Sequence, residues 1–464
     1  MREFLALCGY EPREIEAEFA RVSEALKRVG VTERDLAVGK QRLATFFDLE
    51  LVGVRKVLGV LLKEFTNTVL TRDEGYDRVA FSFMAPGCQI LGAAVMQNHP
   101  GVAWLESDYT FLIVLGSIFN KAGAVLEAAE KLWLKAGGVG HCGNVKTAVG
   151  LLALGLVPKP DLVISSGFLC ETSVKTVGLI QDWFGIPALY YDTWQDRELR
   201  EYPYAGRATS FYAKSMRRLS EQVGERFGVT ITDDMLWRVM EDRKAFANAM
   251  GRVSNLMRHG DPIPMRSTHL NLLSALESIP CRSGQLEEMT AALDTLYEEL
   301  LERTTKGIGA TAKGAARVLS ILPCHHSDPR WEDLANQLGV AIVAIDFEFA
   351  SSQGVDRAGV LDPDDPYDVI GQHMHGAAQQ ILGGRIALIL DACRDLGLDG
   401  VLNHYHVGCR YVAGDAITIK NVVTRELGIP VPTFEWDNFD PRCYNHEQYK
   451  ANMETFVGMM RARP

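Results

Sequence analysis

Residues 161–176 read DLVISSGFLCETSVKT and residues 185–192 read GIPALYYD. An apolar run of strand length ends in Ser-Ser-Gly, a single thiol follows, and helix formers begin at once. Gly closing a helix and Pro ahead of the next apolar run are the signals of an αβ loop. The stretch therefore predicts a strand–turn–helix–strand unit of a parallel sheet. A structural cysteine prefers the middle of an element, whereas Cys170 sits at the strand mouth, where α/β proteins usually hold a ligand. The same grammar returns as DGVLNHYHVGCR over 399–410 and GIPVPTFEWD over 428–437. Asp161 precedes Cys170 by nine residues and Asp399 precedes Cys409 by ten.

The repetition predicts an α/β protein with two similar parallel-sheet domains facing a cleft, each offering a thiol at the carboxyl end of its sheet. Working outward, four segments are expected. Residues 1–74 form a helical amino-terminal segment, with periodic apolar positions through EIEAEFARVSEALKRVG and RKVLGVLLKEFTNTVL. Residues 75–206 form the first α/β domain, with Cys142 and Cys170. Residues 207–315 return to helix, as in DDMLWRVMEDRKAFANAMGRVSNLMR and GQLEEMTAALDTLYEELLER. Residues 316–464 form the second α/β domain, with Cys409. Within it, helices are expected over 376–396 and 415–427.

Composition narrows the classes. At 464 residues the chain exceeds one ordinary core, and 47% hydrophobic with 23% charged residues describes a soluble globular protein. A net charge of −11 without a basic stripe argues against nucleic acid or an anionic membrane as partner. No run approaches the ~18 apolar residues of a membrane span, and no secretory signal opens the chain. A cytoplasmic location is expected. The nine cysteines are odd in number, widely spaced and free of CxxC, which disfavours disulfides and locally spaced metal motifs. A metal held by cysteines must gather them from distant positions.

Cys142, in HCGNVKT at 141–147, also lies between a Gly-rich turn and a helix. Cys142, Cys170 and Cys409 thus each precede a predicted helix, whose N–H groups and dipole favour thiolate, the form that ligates iron. Cys88 in MAPGC, Cys324 in ILPCHH and Cys443 in DPRCY flank apolar runs and are possible additional ligands. Cys393 sits at helical spacing among apolar neighbours and reads as core. Cys8 reads as packing or surface, and Cys281 as a loop residue. His404 and His406, two apart on an extended segment, face one way and are candidates for acid–base work. Arg410, beside Cys409, is a candidate to hold an anionic group. No GxxxxGK[ST], GxSxG or HExxH is present, so ATP hydrolysis within this chain is not expected.

On HCGNVKT, on PKPDLVISSGFLCETSVKT with FGIPALYYD, and on DGVLNHYHVGCR with ELGIPVPTFEWDNFDPRCYNHEQYK, the chain resembles the 2-hydroxyacyl-CoA dehydratase and benzoyl-CoA reductase family of iron–sulfur subunits. These segments correspond to the family's three cysteine regions and its carboxyl-terminal Asp-Pro-Arg segment, in order. The resemblance spans about residues 75–460, strongest in the second half. It departs from shorter family subunits in its helical amino-terminal extension, its MAPGC segment and its Cys-His-His. The resemblance implies a [4Fe–4S] cluster on Cys142, Cys170 and Cys409, with one iron open to an acyl-CoA carbonyl. It implies single electrons from a separate ATP-hydrolysing iron–sulfur activator, a ketyl radical that expels hydroxide, and a homologous second subunit or a homodimer. A reductase of the same family is the nearest alternative, benzoyl-CoA reductase-like or carrying a double-cubane [8Fe–9S] cluster. A non-catalytic partner subunit is the third.

Overall fold

The computed structural model describes residues 1–106, 108–135, 141–167, 170–192, 206–321, 326–346, 362–376, 382–406 and 408–462. Its amino-terminal part is helical, as the 3.6-residue periodicity predicts. The helix Pro12–Arg28 starts on Pro, is capped reciprocally by Glu11 and Glu14, and buries Ile15, Val22, Ala25 and Leu26 on one face. The helix Val52–Leu70 is buried on nearly every side, lying between the amino-terminal helices and the helix Gln285–Lys306. The segment after 206 is likewise helical, with Gly206–Phe227, Asp233–His259, His269–Glu277 and Gln285–Lys306.

Eight strands form two four-stranded parallel sheets among the described residues. The first uses β1 (Arg78–Phe83), β2 (Val102–Leu105), β3 (Leu162–Ser166) and β4 (Ala188–Tyr191), in the order β2-β1-β3-β4. The second uses β5 (Ala316–Ser320), β6 (Val340–Ile345), β7 (Gly400–His406) and β8 (Thr433–Trp436), in the order β6-β5-β7-β8. The two orders are the same once the strands of each sheet are counted from its start. Each chain path steps from the first strand to one side, then crosses to the other. That reversal opens a crevice at the carboxyl ends of β1 and β3, and a second at the carboxyl ends of β5 and β7. β1, β2, β3 and β6 are buried along nearly their whole length because both faces are covered. Gly185 and Gly428 end the matching helices in the left-handed region, at φ 63° and 62°.

Two elements differ from the reading of the sequence. A further helix, Pro366–Gly376, precedes the one expected over 376–396, which is Leu382–Asp395 among the described residues, and 377–381 lies outside them. The helix expected from 415 begins at Arg410, because Cys409 itself is its N-cap and Gly414 does not interrupt it. A third element was not foreseen: Leu112–Ile118 is a π-helix. Its Gly116 packs on the backbone of Ser327, and Ser117 Oγ donates to the His326 carbonyl at 2.7 Å. The turn after β2 is thereby fastened to the turn after β5.

Candidate functional site

Cys142, Cys170 and Cys409 are each the N-cap of a helix, of Gly143–Ala153, Glu171–Phe184 and Arg410–Leu427 respectively. Cys170 and Cys409 follow β3 and β7, the strands that border the two crevices. The crevices meet directly. Gly408, at φ 83°, lies so close to the first loop that a Cβ there would stand 2.7 Å from the Cys142 nitrogen. Asp437, after β8, accepts from the Gly143 N–H at 2.6 Å and from the Phe439 N–H at 2.9 Å. A carboxylate from the second sheet thus caps the helix that Cys142 opens, a role its own thiol does not fill.

The three thiols are electrostatic neighbours. Burial pushes the Cys142 thiol well up, and Asp437, Cys170 and Cys409 add repulsion in that order, with the Val145 N–H pulling down. Burial also raises Cys170, opposed by the N–H groups of Ser173 and Thr172. First-turn N–H groups of the following helices face the sulfurs of Cys142 and Cys170. Burial nevertheless outweighs them at Cys142 and Cys170, so the protein alone keeps these two thiols protonated, and a cationic centre is what would draw them to thiolate. Among the described residues no three of His, Cys, Asp and Glu converge tightly enough for a single metal ion. An iron–sulfur cube makes a different demand, one thiolate per iron, and three neighbouring thiols from three loops suit that donor chemistry.

An aromatic stack lines the same place. The Tyr109 and His326 rings stack at 4.6 Å, His326 and Phe439 at 5.8 Å, and His406 meets Phe439 edge-on at 5.6 Å. Tyr109 follows β2 and feels the charges of Cys142, Cys170, Asp108 and Glu106. Beside it Met84 sits at φ 48°, a strained conformation for a side-chain-bearing residue, and its sulfur accepts from Asn144 Nδ2 at 3.1 Å. Tyr109, Met84, Asp437 and the Glu106–Asp108 pair were not singled out from the sequence. Each is an isolated residue whose partner is distant in the chain.

The other candidates fall in different places. His404 and His406 point to the same buried side of β7, as their spacing predicts, while Tyr405 is exposed. His404 Nδ1 accepts from Trp436 Nε1 at 3.0 Å and lies 3.0 Å from Asn438 Nδ2. His406 Nδ1 lies 3.2 Å from the Trp436 carbonyl, and its Nε2 is 3.8 Å from Asp437. Burial holds His406 below the usual imidazole range, against the pull of Asp437. Arg410 opens its helix, and its side chain lies outside the described residues, as does Cys324. Cys88 is fully buried at the start of the helix Cys88–Asn98, among Tyr191, Tyr212 and Glu106. Cys443 is exposed in a short 3-10 turn. Cys8, Cys281 and Cys393 are buried packing residues of the main core.

A strand–Cys–helix unit present twice, a third thiol brought to it, and a cap from the second sheet define a recognisable class. Residues 100–460 match the family of the 2-hydroxyglutaryl-CoA dehydratase D-component, and the chain belongs to that family. Similar proteins include the alpha subunit of (R)-2-hydroxyglutaryl-CoA dehydratase of Acidaminococcus fermentans, 24% identical over 66% of this chain. That match spans 61% of the relative's own length. The alpha subunit of lactoyl-CoA dehydratase of Anaerotignum propionicum is 22% identical over 66% of this chain and 70% of its own. A benzoyl-CoA reductase subunit of Thauera aromatica is 21% identical over 74% of this chain and 81% of its own. No helix among the described residues is long and apolar enough to cross a membrane.

Proposed function

We propose that the chain is the iron–sulfur catalytic subunit of a 2-hydroxyacyl-CoA dehydratase, with Cys142, Cys170 and Cys409 as the cluster ligands. The observation that carries the reading is the convergence of three cysteines at helix N-cap positions, from both halves of the chain, on one place. When bound, a [4Fe–4S] cluster supplies single electrons to a thioester carbonyl at an iron left without a protein ligand. The residues around it have defined tasks. Asp437 holds the Cys142 helix in register with the second sheet, and Gly408 lets the Cys409 turn reach it. Tyr109, His326 and Phe439 wall the site with flat surfaces and exclude water from it. His404 and His406 support the Cys409 turn from the buried side of β7, and Arg410, next to Cys409 in the chain, is the residue we assign to an anionic part of the substrate. The electron donor is a separate ATP-hydrolysing activator, and the partner is a homologous subunit or a second copy. Eight cysteines outside any disulfide among the described residues suit the reducing, oxygen-poor cytoplasm where we place it.

The similarity to a benzoyl-CoA reductase subunit over most of that subunit's length favours net reduction as the second reading. Anaerobic purification with iron and sulfide analysis tests both. About four irons per chain supports a single cube, and about eight supports a double cubane. Cys→Ala at 142, 170 or 409 is expected to abolish iron binding, while Cys393→Ala keeps it. A chain that holds no iron yet binds a homologous subunit tightly overturns both readings in favour of a non-catalytic subunit.

A further inference from the structure

The two halves place an acid at the same point and treat it differently. Glu106 follows β2, Asp346 follows β6, and both are 5% exposed. In the second half the charge is balanced: Arg385, from the helix that leads into β7, reaches Asp346 at 2.8 and 2.6 Å. In the first half the helix leading into β3 also carries a cation in its first turn, Lys146. That side chain turns outward to Glu130 at 2.9 Å. Glu106 is left with neutral hydrogen-bond donors, Ser82 Oγ at 3.1 Å and Gln89 Nε2 at 3.2 Å.

A second buried acid, Asp108, stands two residues on and is 1% exposed. Asp108 Oδ1 has no hydrogen-bond partner among the described residues, and neither has Oδ1 of the buried Asn144. Asn144 lies against the Asp108 carboxyl on one side and follows Cys142 on the other. Burial, then repulsion from Asp108, pushes Glu106 well above the usual carboxylate range, and burial pushes Asp108 up to about 6. The groups that face Glu106 are Asp108, Tyr109, Cys88, Tyr191 and Arg243, and the attraction of Arg243 ranks behind the two hydrogen bonds. Tyr109 is in electrostatic range of both acids and of Cys142 and Cys170, and so adjoins the pair and the thiols alike.

We infer that Glu106 and Asp108 are the proton-handling residues of the thiol site, exchanging protons with it past Tyr109. The inference rests on the dehydratase reading above. In that reaction one proton passes from the acid to the departing hydroxide, which leaves as water. One proton returns to the carboxylate from the adjacent carbon, so the acid ends as it began. The electron that enters the thioester is the one that leaves it, and no other co-reactant is needed. Glu106 is met by two neutral hydrogen-bond donors and only the weaker attraction of Arg243, whereas Asp346 is ion-paired by Arg385.

The test compares Glu106→Gln and Asp108→Asn with the wild type, each purified anaerobically and assayed for iron and sulfide. Infrared difference spectra of the variant against the wild type should show loss of a deuterium-sensitive carboxylic-acid C=O band in Glu106→Gln. Turnover of a 2-hydroxyacyl-CoA should fall roughly 10²–10⁴-fold with iron content unchanged, and the pH profile should lose a limb. Glu106→Asp should recover part of the rate. An unchanged infrared band, or wild-type turnover and pH profile in Glu106→Gln, overturns the inference. If Glu106→Gln loses iron, Asp108→Asn decides by the same readouts. A wild-type protein that turns over no acyl-CoA thioester overturns the family reading instead, while an active wild type matched by both variants overturns this inference alone.

Discussion

Asp161 and Asp399 make the same pair of hydrogen bonds in the two sheets. Asp161 N–H donates to the Val79 carbonyl, and its Oδ2 accepts from the Val79 N–H, both at 2.8 Å. Asp399 does the same to Arg317, again at 2.8 Å on both sides. Each aspartate clamps the start of its sheet's first strand to the start of its third, and so sets where the cysteine turn begins. Replacing either by Ala leaves a strand N–H without its acceptor and should cost about 1–3 kcal/mol, read from denaturant midpoints. A loss in one half only would mean that the two clamps are not equivalent.

The duplication was legible because it is written in local grammar. An aspartate, an apolar run, a thiol, a helix and Gly-Ile-Pro recur at nearly equal spacing, and strand and helix periods are short-range signals. Cys142, Cys170 and Cys409 could be named for the same reason, since a thiol ahead of a helix is visible within a few residues. Asp437 could not: its partner Gly143 is 294 residues away. Nor could Glu106, whose meaning comes from an ion pair that its counterpart Asp346 makes and that it does not make among the described residues. The π-helix 112–118 escaped because LIVLGSI reads equally as buried strand or helix, and its register is set by packing on Ser327.

Gly408→Ala is expected to separate the two loops without unfolding either sheet. The new Cβ would meet the Cys142 backbone nitrogen and carry a strained positive φ at the same time. Iron content should fall by most of its value while secondary structure by circular dichroism stays as in the wild type. Full iron in the variant would count against the junction of Gly408 and Cys142 as part of the site.

Arg442 ties the carboxyl-terminal segment to the helix Ala122–Lys135, reaching Glu130 at 3.0 and 2.6 Å and Asp440 at 2.8 and 2.6 Å. Arg442 foremost, with Lys146, lowers Glu130 from 4.5 to about 2. A carboxyl lowered on folding adds stability above its unfolded value, and that contribution is lost as pH falls from about 4.5 to about 2. The pair is partly exposed, so screening limits it to about 1 kcal/mol or less. Glu130→Gln should therefore be less stable than the wild type at neutral pH, with the difference closing in acid. A pH-independent difference in unfolding free energy would contradict this assignment.

Because the helix after Cys142 is capped from residue 437, neither end of the polypeptide can build the thiol site without the other. During synthesis the first two cysteine loops emerge long before Asp437 and Gly408 exist. On the proposed ligand set, loading of a cluster is therefore a late event in biogenesis, open only after the last strand has been made and docked.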